Sequence, residues 1–529
     1  MKKIILLIIV SSFNLTLMGQ GKRIEFYHDS IISFEQNISA IDSIKIDSTN
    51  NNIIINQRYN TRTFDINEVD SITFSTSNAI YPYPFGQEAS NVTAEIIIQL
   101  NDSINIDDLT VNIPTLKFNK SWLFMLTQDD CLNSAFHQTW AAINGKPLSN
   151  YTNSNNQKQN SYNIGQLLAG DFPPESYYLG KTLGSTDGTG KEVRFKFTTT
   201  VYPEDLFMNS SETINPGYTD NYYRFMKYNL TWGNVREMVN YENSIAFHDV
   251  NATDVHNITD IYNHYLIVQD SIQLHLQNRG CKVLAEPNGN KDYVRAAYNY
   301  CSIQTMTAQN NSDSIFSREL YPYMIDTIDL YQVLIKRYFL DPEDIRARVL
   351  TELQKLKEQR EAVHIGVHST GSSMVTLLLW LNDNYGKDGN DSLWFPSLEE
   401  YYEYNYYRHN SSITKTQIND STIKITIHIP SGQYFYYPSI TLNVGGIITN
   451  QIQHITSNDA ITGLSYANYN NELMINIDCR KFLLEHANHY VEQYEENSIQ
   501  SNRDDALYFT NQLKDSPQKT ALLNRINSR

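Results

Sequence analysis

At 529 residues the chain exceeds one ordinary domain, so a modular globular protein with a sizeable core is expected. Its formal net charge of -17, from 58 acidic against 41 basic side chains, argues against nucleic-acid backbones and anionic membrane surfaces as partners, because both repel it. The four cysteines are too few for a disulfide scaffold and lack the paired spacing of a zinc ribbon, and Cys281 with Cys301 is the best candidate for a bridge.

The opening stretch, "MKKIILLIIVSSFNLTLMGQG", sets two lysines before an apolar run from Ile4 to Val10 and small residues before Gln20. That layout predicts a secretory signal peptide over residues 1–19. No cysteine stands at the junction to carry a lipid, and no later run is long enough for a membrane-spanning segment, so a secreted, periplasmic or cell-surface protein is expected. Residues 24–77 hold a degenerate echo, "FEQNISAIDSIKI" from Phe34 and "FDINEVDSITF" from Phe64, whose alternating apolar positions predict a small β module. Residues 78–117 open on the linker-like "YPYPFG" and continue through "AEIIIQL" and "LTVNIPTL", read as strands leading into the next domain.

From residue 118 to 405 strands alternate with long helices. The continuous apolar run "WLFMLT" suits a strand covered on both faces of a parallel sheet. Trp232, Val235, Met238 and Val239 share one helical face ahead of the strand "SIAFH". A helix from Ile258 to Asn278, closed by Gly280, precedes "CKVLAEP", and one from Pro342 to Glu361 precedes "AVHIGVH". Four strands, each tied to helices, predict an α/β sheet or barrel. Residues 406–479, with "KITIHI", "SITLNV" and "LMINI", alternate as an antiparallel β-sandwich, and residues 480–529 read as a helical tail.

Polar residues close three of the four strands. Asp129 and Asp130 end the first, His248 ends the second, and His364 with His368 end the fourth. Sites assemble at the C-terminal edge of parallel strands, so these distant residues are expected to converge. One carboxylate with two imidazoles makes a divalent-metal site, and a second carboxylate beside it serves as a base. Singly, each has an ordinary structural use, the aspartates as a helix cap and the histidines as hydrogen-bonded core residues. Their order on successive strand ends is the signal. The 37 tyrosines suit sugar rings as well as plain packing, and decide nothing alone.

With these segments in hand, the chain resembles the polysaccharide deacetylases, a class of carbohydrate esterases built on a distorted (β/α) barrel. "TQDD" matches a first motif of the form Thr-x-Asp-Asp, which makes Asp129 the catalytic base and Asp130 a metal ligand by resemblance. "SIAFHDVNATDVH" sits where the second motif belongs and gives His248 as a ligand, "AEPNGNKDY" occupies the third, and "HIGVHSTG" the last, with His368 as general acid. The segments "TDGTGKEVRFKF" and "WFPSLEEYYEY" also look like extracellular, glycan-related members. The resemblance implies a divalent metal, zinc above all, and an acetylated oligosaccharide or other glycan as substrate.

The chain departs from the pattern at two places. Residue 252, four after His248, is Ala252, so the third ligand must come from His256 or Asp254 if it comes at all. Glu286 stands where the family has an arginine, which removes the cation expected to orient the base. The stretch from Asn144 to Asn229 is an insertion expected to shape the cleft. Two functions follow: a metal-dependent deacetylase, or an inactive barrel that binds glycan. A Ser or Cys hydrolase using Cys131 or Ser369 has no GxSxG elbow to support it.

Overall fold

The computed structural model describes residues 23–28, 31–37, 41–57, 60–75, 88–148, 158–159, 177–205, 208, 226–227, 229–309 and 330–529. The signal peptide, the "YPYPFG" linker and most of the stretch from 149 to 228 lie outside them. The chain forms two compact units, Met1–Tyr81 and Pro82–Arg529.

In the first unit, the echoed segments fold as two three-stranded antiparallel sheets. Arg23–His28 lies between Ile31–Asn37 and Ser71–Ser75, and Asn52–Gln57 lies between Ile41–Asp47 and Asn60–Asp65. The alternation read from the sequence delivers Ile24, Phe26, Ile53 and Ile55 to one core, against which Ile44, Phe64 and Ile72 pack.

The second unit is mixed α/β. Its parallel strands are β1 (Trp122–Gln128), β2 (Thr198–Thr200), β3 (Ser244–Ala246), β4 (Val283–Ala285), β5 (Thr305–Ala308), β6 (Val333–Lys336), β7 (Tyr338–Phe339) and β8 (Val363–Val367). One parallel run has the order β3-β2-β1-β8-β7, and another the order β4-β5-β6. Two features join the runs. A parallel bridge pairs Phe247 with Leu284, and only Arg337 separates β6 from β7. The pairing therefore returns to its start, with residues 333–339 bonded to β5 through their first half and to β8 through their second. All seven residues of β1 and all five of β8 are buried, as strands covered on both faces require.

Helices α1 (Trp232–Asn240), α2 (Ile258–His275), α3 (Lys291–Ala297), α4 (Pro342–Gln354), α5 (Ser372–Tyr385) and α6 (Leu398–Asn410) follow the strands. Local chemistry sets their ends. Thr231 and Asn234 form a reciprocal capping box on α1, and the Asn257 side chain caps α2. Helix α2 stops at His275 rather than Asn278, because Gln277 and Asn278 turn to φ 53° and 68°. Helix α4 stops at Gln354, short of Glu361, with a 3-10 turn at Lys357–Gln359.

Two four-stranded antiparallel sheets complete the unit. Ser412–Asn419, Thr422–Ile429, Val92–Leu100 and Ile452–Ser457 make one, and Gly463–Tyr469, Glu472–Asp478, Ser439–Gly445 and Thr110–Asn112 the other. The strands "AEIIIQL" and "LTVNI" thus pair with segments more than three hundred positions later. The tail is helical, with α7 (Leu483–Glu496), α8 (Gln500–Gln512) and α9 (Pro517–Asn527). Asp505 on α8 accepts hydrogen bonds from Lys146, from Arg194 Nη1 at 2.6 Å and from Tyr241 Oη at 2.6 Å.

The Cys281–Cys301 bridge does not form. Both thiols are free, Cys301 exposed and Cys281 buried with its sulfur donating to the Ile245 carbonyl at 3.4 Å. Among the described residues no helix is long and apolar enough to cross a membrane.

Candidate functional site

The four residues of "TQDD" reach partners on several other segments at the C-terminal edge of β1. Thr127 Oγ1 lies 3.0 Å from His364 Nε2. The Gln128 side chain donates to the His368 carbonyl at 3.1 Å and to Ser134 Oγ at 2.8 Å, which ties the end of β1 to the end of β8. Backbone pairing continues one step further, with the Asp129 amide donating to the Val367 carbonyl at 2.8 Å. The chain then turns sharply, because Asp130 and Cys131 adopt φ 62° and 53°. Such left-handed pairs away from glycine mark constrained, often functional, positions.

That turn sends the two carboxylates apart. Asp129 is 2 % exposed and accepts from Arg337 Nη1 at 2.7 Å. Asp130 lies half-exposed among aromatic rings: Tyr202 Oη donates to its Oδ1 at 3.1 Å, His248 Nε2 lies 3.5 Å from Oδ1, and His368 Nε2 lies 3.8 Å from Oδ2. The His248 imidazole is the main cause holding the Asp130 carboxyl below its usual range, against the opposing effect of burial, with His368 and Tyr202 adding to it. Burial first, and Asp130 second, push the Tyr202 phenol up.

His248 is 2 % exposed and its orientation is fixed. Its Nδ1 lies 2.6 Å from the Ala285 carbonyl oxygen, an acceptor only, so Nδ1 carries the proton and Nε2 faces Asp130. His368 is more than half exposed and stacks on Phe339, ring centroids 5.0 Å apart at 28°. Gly366 makes room for this, since a Cβ there would lie 2.7 Å from the Phe339 ring.

His256 is not brought to this cluster. It is exposed on the loop after β3, where Nδ1 lies 3.2 Å from Asp292 Oδ2 and Nε2 lies 3.5 Å from Asp254 Oδ2. The same loop is anchored by buried Asp249, which accepts from His264 Nδ1 at 2.6 Å, from the Val250 amide at 2.6 Å and from Tyr293 Oη. Among the described residues no three His, Cys, Asp or Glu side chains form a ready ligand set for an ion.

The expectation that Glu286 leaves the base without a cation is overturned. Arg337 supplies it from the junction of β6 and β7, and donates through Nη2 to the Glu286 carbonyl at 2.8 Å. The Glu286 carboxylate pairs instead with Lys291 Nζ at 2.5 Å, both side chains fully buried. Arg337, Tyr202 and Phe339 were not picked out from the sequence. The usable signal for Arg337 was the basic pair Lys336–Arg337 directly after the apolar "VLI", a further strand end.

A family model described as "Putative polysaccharide deacetylase" matches residues 94–527. No curated protein matches the chain. The matched span takes in the parallel strands, nearly all of both flanking sheets and the C-terminal helices as one unit. By that match, the chain belongs to the polysaccharide deacetylase family.

Proposed function

We propose that this protein is an exported, metal-dependent deacetylase that removes acetyl groups from N- or O-acetylated glycans, and that the closed round of parallel strands is the distorted (β/α) barrel of its family. The observation that carries the reading is the convergence at Asp130, which faces both His248 Nε2 and His368 Nε2 from three distant segments of chain.

The donor set fits a divalent ion at two positions. With its proton on Nδ1, neutral His248 points a lone pair at the Asp130 carboxylate across 3.5 Å, so a cation between them, or a second proton on the ring, must separate the two acceptors. Asp130 and His248 would hold the ion, and an imidazole with a carboxylate favours zinc. When bound, such an ion polarises the acetyl carbonyl and acidifies water. Asp129 takes the proton of the attacking water, His368 protonates the departing amine or alkoxide, and the C–N or C–O bond breaks to release acetate. The exposure of His368 suits a group that must reach a leaving sugar.

Ala252, in place of the second imidazole of the motif, favours the other reading, an inactive barrel that binds glycan. One experiment separates them. Purified protein is analysed for bound metal and assayed on N-acetylated chito-oligosaccharides and O-acetylated xylo-oligosaccharides, alongside Asp130→Ala and Asp129→Asn. The expected result is metal lost in the first variant, and metal kept but turnover lost in the second. Unchanged metal content in Asp130→Ala overturns the site, and glycan binding without turnover in metal-loaded native protein establishes the inactive reading.

A further inference from the structure

We propose that Arg337 is a positioning residue for the reaction, a relocated arginine that holds the Asp129 carboxylate from the β6–β7 junction in place of the one absent at residue 286. The inference rests on the reading of Asp129 as the base.

Four observations carry it. The ion pair is enclosed, with the Arg337 side chain 1 % and the Asp129 side chain 3 % exposed, where a carboxylate without a compensating cation is strongly disfavoured. The guanidinium is fixed before it meets Asp129: Nη2 donates to the Glu286 carbonyl at 2.8 Å, Cζ lies 5.0 Å from the Phe339 ring centroid, and the Arg337 amide donates to the Ala308 carbonyl at 2.9 Å. Residue 286 thus keeps a part in orienting the base, through its main chain. The acid now at 286 does not compete for Arg337, because Lys291 lies 2.5 Å from its Oε1. Two neighbouring ion pairs, Arg337 with Asp129 and Lys291 with Glu286, leave the local charge balanced.

The geometry also says what Arg337 does for Asp129. Its contact is to Oδ1, which leaves Oδ2 to accept a proton. A rigid fork holding Asp129 with one nitrogen and a carbonyl with another sets the carboxylate plane, which a lysine cannot do with a point charge. Arg337 lies where the strand changes neighbours, Lys336 pairing with Ala308 and Tyr338 with Ile365. That changeover places its side chain between Asp129 at the end of β1 and Glu286 at the end of β4.

The test uses the full-length, metal-loaded protein with Arg337→Gln, Arg337→Lys and Asp129→Asn, on whichever acetylated oligosaccharide the native protein hydrolyses. Arg337→Gln is expected to keep its metal and its KM while kcat falls about 100-fold, the scale of a misplaced general base. Arg337→Lys keeps the charge but not the fork and recovers only part of kcat, and it also serves if the glutamine variant does not fold. A native-like kcat in Arg337→Gln, beside an inactive Asp129→Asn, overturns this inference alone. An active Asp129→Asn removes the base assignment and this inference together. If the native protein hydrolyses neither class of oligosaccharide, a crystal structure of Arg337→Gln decides, with an Asp129 carboxylate that keeps its native position and plane counting against the proposal.

Discussion

His248 Nδ1 and the Ala285 carbonyl oxygen lie 2.6 Å apart, and this one hydrogen bond decides which ring nitrogen faces the cluster. A main-chain carbonyl accepts and never donates, so Nδ1 carries the proton of this bond. The bond also spans two strands, since His248 follows β3 and Ala285 ends β4.

His248→Ala is therefore expected to weaken divalent-metal binding about 100-fold or more, on the scale that ligand and supporting-shell losses produce. Titration calorimetry with zinc checks this. His256→Ala, whose ionic partners are Asp254 and Asp292, is expected to bind zinc as the native protein does.

Gly366→Ala tests the packing behind His368. Its new methyl would lie 2.7 Å from Phe339 Cζ, so the ring must leave its place over the imidazole. Overpacking of this kind costs about 1–3 kcal/mol, read as a lower denaturant midpoint. Turnover is expected to fall further than stability alone explains, because His368 loses the surface that orients it.

Asp505→Ala is expected to destabilise the unit by about 3–5 kcal/mol, because Lys146 and Arg194 are left as buried charges without their carboxylate. Urea unfolding reads the loss. A change under 1 kcal/mol would show that the tail helices are not fastened through this residue.

Acid stability follows from two buried histidines. Burial, with the nearby Arg337 adding to it, pushes His364 down to about 3, and burial also drives His486 well down. Each is neutral in the folded protein while the unfolded chain binds a proton below about 6.5, so stability is full above that pH and falls as pH drops toward 3. The loss is about 1.4 kcal/mol per pH unit for each group in that window. Melting curves between pH 7 and 4 are expected to show it, and His364→Gln is expected to flatten the slope.

Thiol counting checks the cysteines. Burial pushes Cys281 up to about 12 and raises Cys131 and Cys479 as well, whereas Cys301 is exposed. A disulfide-exchange reagent is expected to titrate Cys301 in native protein, and all four thiols after denaturation.

The sequence made some of this legible and hid the rest for physical reasons. Long apolar runs announced β1 and β8, because strands buried on both faces need them. Helical periodicity announced α1, α2 and α4. Strands β2, β5 and β6–β7 passed unnoticed because "TTT" and "TMTA" carry hydroxyls where an apolar run was sought, and Arg337 interrupts the third. The flanking sheets draw "AEIIIQL" and "LTVNI" from before the parallel strands, a long-range pairing that no local pattern encodes. The meeting of Asp130 with His248 and His368 was readable through their order on strand ends. Arg337 was not, because its partner Asp129 lies two strands away, near only through the long-range pairing of β1 with β8 and of β8 with β7.

The join between β3 and β4 is the thinnest in the round, a single bridge from Phe247 to Leu284 with amide bonds of 2.8 and 3.0 Å on either side. Its next residue along is His248, reaching across to Ala285. An ion held by His248 and Asp130 would act as a rivet beside this seam, tying the end of β3 to the end of β1 two strands away. Amide hydrogens at Phe247 and Ala285 should then exchange slowly in zinc and quickly after chelation, reporting occupancy without any substrate.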